Sequence, residues 1–122
     1  VPGQSFVEFV QLWKRCTDDP AYQPYPGVSV KAAAERLARF LAMVRERHPG
    51  ATVAAVSHGG IMTDFLRANF DFETLARLDS GIARGQDPEI ANCSITTLTV
   101  TPSGCRVEAL AVKDHLSCET TL

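Results

Sequence analysis

From Thr52 to Ser57 the sequence reads Thr-Val-Ala-Ala-Val-Ser, a run without charge or polar alternation that leads straight into His58-Gly59-Gly60. A strand of this kind belongs to the interior of a parallel sheet covered by helices on both faces. It needs a hydrogen-bonded neighbour on each edge, because every buried backbone group left unpaired costs about 1–3 kcal/mol. After the glycines, Ile61, Met62, Phe65 and Leu66 recur at helical spacing. The local order is therefore strand, glycine turn, helix.

The flanking sequence supplies few strands to meet that need. Ser5-Phe6-Val7-Glu8 has the form of a capping box, and Phe6, Phe9, Val10 and Trp13 follow at helical intervals, so residues 5–16 are expected to form an amphipathic helix. Prolines 20, 24 and 26 make residues 18–27 a loop. A stronger helix is expected over residues 30–47, capped by Ser29, with Val30, Ala33, Ala34, Leu37, Phe40, Leu41 and Val44 on its buried stripe. His48-Pro49-Gly50 ends it. Residues 79–88 are polar and contain glycine, and two strand-like runs, 93–101 and 105–113, are joined by Pro102-Ser103-Gly104 as a hairpin. The expected fold is an α/β class: an incomplete three-layer α/β/α sandwich with one parallel core strand, a C-terminal antiparallel hairpin and flanking helices. The first strand–helix units of such a sandwich would be missing, and the start at Val1 rather than Met agrees with a processed, truncated or recombinant chain.

Composition narrows the function classes. At 122 residues, 45% of them apolar and 21% charged, the chain suits one domain with a closed core rather than disorder. Its formal charge of −2 leaves no basic excess for nucleic acid, and its apolar runs are far shorter than the roughly 20 residues of a membrane span. The four cysteines (16, 93, 105 and 118) include no Cys-x-x-Cys pair and suit free, buried thiols in a cytoplasmic protein. Cys93, Cys105, His115 and Cys118 are zinc-ligand types, but their spacing fits no standard pairing, so no metal and no cofactor is expected.

The chemistry concentrates at Ser57-His58-Gly59-Gly60. The carboxyl end of a strand that opens into a helix is where open α/β sheets bind ligands. The helix start offers unpaired N–H groups and a partial positive charge, and glycines let a phosphate come close to the backbone. His58 adds a hydrogen-bond donor able to carry charge. The same residues can also form a plain tight turn, or an esterase oxyanion loop; the latter lacks a Gly-x-Ser-x-Gly nucleophile here.

Five ordered motifs extend this picture. Pro26-Gly27-Val28-Ser29, Glu35-Arg36, Val56-Ser57-His58-Gly59-Gly60, Asn92-Cys93-Ser94-Ile95 and Asp114-His115-Leu116 together resemble the C-terminal portion of the histidine phosphatase superfamily, which includes the phosphoglycerate mutase-like phosphatases. The opening Gly3-Gln4-Ser5-Phe6 through Trp13 also resembles that family. The resemblance implies that residues 1–122 are the C-terminal part of a single α/β domain acting on phosphomonoesters through a phosphohistidine. It implies that His58 is the family's second histidine, binding the transferring group together with Gly59 and Gly60. The family's nucleophile sits in an Arg-His-Gly motif, which is absent here, so residues 1–122 alone are expected to be inactive. The alternative is a non-catalytic remnant that binds phosphate or a partner.

The expected ligands are a phosphorylated small molecule or inorganic phosphate, and the expected protein contact is a homodimer or pairing through an exposed sheet edge. Val28 stands where the family commonly has a glutamate, and a valine there accepts no hydrogen bond; Arg36 matches a family arginine read as structural. His115 reads as a surface or packing residue, while Tyr22 and Tyr25 could line an entrance or pack on Trp13.

Overall fold

The computed structural model describes residues 3–24, 27–86, 88 and 90–116. Tyr25, Pro26 and Cys118 lie outside them. Helix α1 spans Phe6–Asp18 and opens with a reciprocal cap: Ser5 Oγ accepts from the Glu8 N–H at 3.2 Å, and the Ser5 N–H donates to Glu8 Oε2 at 2.7 Å. That second bond holds the Glu8 carboxyl below its ordinary range. Among the described residues α1 has no fully buried residue, and on its apolar stripe Trp13 is 65% exposed. Tyr22 packs under the Arg15 guanidinium, 3.9 Å from ring centroid to Cζ, rather than on Trp13.

Helix α2 spans Val30–Arg47, and Ser29 Oγ accepts from the Ala32 N–H at its start. Ala34 is the one fully buried member of the expected stripe; Leu37 and Leu41 are half-buried and Phe40 is exposed. Helix α3, Gly59–Asn69, packs against α2 and supplies the centre of the core. Leu66, 1% exposed, and Phe65 are joined there by Leu75, Ile82 and Val107. Two further helices, α4 (Phe72–Leu78) and α5 (Ser80–Ala83), begin at aspartate caps, with Asp71 accepting from the Thr74 N–H and Asp79 from the Gly81 N–H. Helix α5 lies within the polar, glycine-containing residues 79–88, and α4 immediately precedes them.

Strands β1 (Ile95–Thr101) and β2 (Gly104–Val112) form the expected antiparallel hairpin, turning through Pro102-Ser103 into Gly104 at φ 148°. Pairing is regular from Thr101↔Gly104 to Leu98↔Val107 and then slips twice, reaching Ile95↔Val112. At the irregular end Ala111 adopts φ 48°, and its N–H donates to Thr96 Oγ1 at 3.0 Å rather than to a ladder carbonyl. This bulge kinks β2 just before the chain turns at Lys113–Leu116.

The mixed helix-and-hairpin architecture is a partial α/β fold, as expected. The parallel core strand expected over residues 52–57 is a correction. Among the described residues the only sheet is the hairpin, and no backbone hydrogen bond reaches Thr52–Ser57. All of residues 51–58 are exposed, with Val56 at 102%. A strand is defined by its neighbours, and without them this apolar run has neither a ladder nor a cover.

Candidate functional site

His58 is where this unpaired run becomes α3. Its backbone is extended (φ −119°, ψ 146°), and it occupies the cap position, with its carbonyl accepting the Met62 N–H at 3.1 Å. The imidazole is exposed and makes no hydrogen bond among the described residues. Each of the other four helices begins with a side-chain oxygen on one of its first amides, from Ser5, Ser29, Asp71 or Asp79. Helix α3 has no such cap. The N–H groups of Gly59, Gly60 and Ile61 consequently have no acceptor among the described residues. Three amides at a positive helix end, beside an exposed imidazole, can bind an anion without displacing an internal hydrogen bond.

The two glycines differ in their surroundings. A Cβ on Gly59 would lie 3.1 Å from the Ile90 carbonyl oxygen, whereas one on Gly60 would meet nothing within 4 Å. Neither residue has positive φ. Gly59 is thus a close-packing glycine, and Gly60 is the open one.

The Ile90 carbonyl begins a short turn against the site. The Ser94 N–H donates to the Ala91 carbonyl at 3.1 Å, and Cys93 takes φ 61°. On the far side, His115 Nε2 donates to the Cys93 carbonyl at 2.8 Å. A carbonyl only accepts, so Nε2 carries the proton. Sequence reading missed this contact and gave His115 only a surface or packing role; the pair is 22 residues apart, and no periodicity links them.

Other nominated residues stand apart. Arg36 and Val28 are exposed, and Arg36 makes no ion pair among the described residues. Cys105 is half-buried, which pushes its thiol up from the ordinary value and away from reactive thiolate character. Among the described residues no group of three His, Cys, Asp or Glu side chains is placed to hold a metal ion. No helix of the described residues is long and apolar enough to cross a membrane. An open depression of about 330 Å³ between α3 and α4, lined by Arg67, Phe72, Leu75 and Gln86 among others, includes none of the residues nominated from sequence.

Comparison with known proteins gives one result. The family model of the histidine phosphatase superfamily (branch 1) matches residues 3–113. No curated protein and no solved structure matches the chain. The match runs through α1, α2, the His58 turn and both hairpin strands, so this chain belongs to the histidine phosphatase superfamily, branch 1.

Proposed function

We propose that His58, with the amides of Gly59 and Gly60, binds the phosphoryl group of a phosphomonoester in a phosphatase or phosphotransferase that works through a phosphohistidine. The observation that carries this reading is the start of α3: an exposed imidazole beside three amides without internal acceptors, in a chain of this family. The nucleophilic histidine attacks phosphorus and the alcohol leaves; water, or a second acceptor, then takes the phosphoryl group from the histidine. Through both steps negative charge stays on the non-bridging oxygens, where fixed N–H donors and an imidazolium lower the barrier.

Residues 1–122 contain no Arg-His-Gly, so this reading takes the nucleophile from outside them. Titrating the chain with inorganic phosphate, followed by NMR, tests the site. The His58 ring and the amides of residues 59–61 should shift together, with affinity on the order of millimolar. The same polypeptide should neither turn over a generic phosphomonoester nor form a phosphoenzyme. An unresponsive His58 ring, or phosphoenzyme formed by residues 1–122 alone, contradicts the reading.

A second reading, a non-catalytic remnant that binds phosphate or a partner, is favoured by the Thr52–Ser57 backbone, which has no hydrogen-bond partner among the described residues. Pairing of that run with a second copy, or with another strand-bearing chain, would satisfy it. Adding a polypeptide that carries an Arg-His-Gly strand separates the two: restored turnover favours the enzyme, and binding without turnover favours the remnant.

A further inference from the structure

We infer that His115 is a positioning residue for the phosphate site at His58, acting through the turn from Ile90 to Ser94; the inference rests on the reading of that site given above. The turn is held from two sides. On one side the Ile90 carbonyl seats against the bare Cα of Gly59, at a distance that no side chain there would permit without movement. On the other, His115 Nε2 donates to the Cys93 carbonyl at 2.8 Å. Between these points the Ser94 N–H closes the turn on Ala91, and Ser94 Oγ is buried without a partner among the described residues.

Two backbone features deliver His115 to this position. Cys93, two residues before β1, takes φ 61°, and its carbonyl is the one that accepts from His115. Ala111 takes φ 48° at the bulge, which redirects the end of β2 into the Lys113–Leu116 turn and brings the imidazole back across the hairpin. Non-glycine residues at positive φ are uncommon, and here one lies two residues before β1 and the other within β2. The consequence is a continuous path of contacts, from His115 to the Cys93 carbonyl, through the turn to the Ile90 carbonyl, and on to Gly59. Gly59 carries the first amide of the anion site and follows His58 directly. Loosening the far end lets the near wall of the site move.

The test compares the unaltered chain with His115→Ala, His115→Gln and a control, Thr99→Ala, which loses a hydrogen bond to Glu108 elsewhere in the hairpin. The readouts are hydrogen exchange at the Ser94 amide and the inorganic phosphate titration of the His58 ring. Loss of one exposed hydrogen bond should speed Ser94 exchange by about two- to tenfold and weaken phosphate binding by a similar factor in His115→Ala. Gln places an N–H donor at a comparable reach, so His115→Gln should restore both readouts, and Thr99→Ala should change neither. A simple loss of stability would move the control as well and would not be rescued. If the unaltered chain binds phosphate and His115→Ala binds it equally well, the positioning role is overturned while the site stands, whatever the exchange rate. If the unaltered chain shows no phosphate response, the site reading fails and the role falls with it.

Discussion

Asp64 lies one turn into α3 from the candidate site, and partial burial raises its carboxyl above the ordinary range, against a smaller lowering by Arg67. For a carboxyl raised in the folded state, the native protein holds its proton more tightly than the unfolded chain does. Stability therefore falls as pH rises from the unfolded value, 3.8, through the folded one, and ionised Asp64 is a liability at neutral pH. Asp64→Asn is expected to raise the thermal midpoint at pH 7, with the gain shrinking to nothing as pH drops below about 4. Thermal melts of both proteins across that range check the sign; a gain that grows on acidification would contradict it. The carboxyls of Glu8, Asp71 and Glu108 behave in the opposite way, since hydrogen bonds to their charged forms hold them low. Their contributions are present above the unfolded value and are lost as pH falls through the folded one.

At the level of elements, the start of α3 depends on two glycines with different duties. Gly59→Ala should destabilise the chain by about 1–3 kcal/mol, because the new methyl meets the backbone oxygen of Ile90. Gly60→Ala, with negative φ and open space, should be neutral or stabilising by up to about 1 kcal/mol. Urea denaturation distinguishes them, and equal losses would mean that the Ile90 contact is not what requires glycine at 59.

Helices α1 and α2 were legible from sequence because their caps, Ser5 and Ser29, stand beside long stretches of helical spacing. The hairpin was legible from Pro102-Ser103-Gly104. Helix α4 has only seven residues and α5 only four, too few to display a period, so the Asp71 and Asp79 caps were the sole signals. The bulge at Ala111 escaped because register slips are settled between strands, not within one. His58, Gly59 and Gly60 could be read because they are adjacent, whereas the Ile90 carbonyl meets Gly59, and His115 the Cys93 carbonyl, only through the fold.

For the whole molecule, the largest departure from expectation is the Thr52–Ser57 run. Its composition marks a strand, but pairing is a property of two segments and cannot be read from one. Val53 and Val56 within the run, and Phe6, Phe9 and Trp13 on α1, leave apolar surface uncovered. Sedimentation of the chain should show a weight-average mass that climbs with concentration. Val56→Lys should suppress that climb, since a charge on an unpaired strand edge opposes pairing. As Val56 is fully exposed, the same change should leave the unfolding free energy within about 0.5 kcal/mol. A unaltered chain that stays monomeric at all concentrations would count against an adhesive edge.

That unpaired run also bears on the order of events in folding. Helix caps, the α2–α3 contact and the hairpin join segments near one another in sequence, and such contacts form early and fast. Thr52–Ser57 has no backbone hydrogen bond among the described residues, so none of these contacts fixes it. An uncharged apolar hexapeptide left open in this way is accessible to any strand in reach, which makes it the segment most exposed to misassembly while the chain folds.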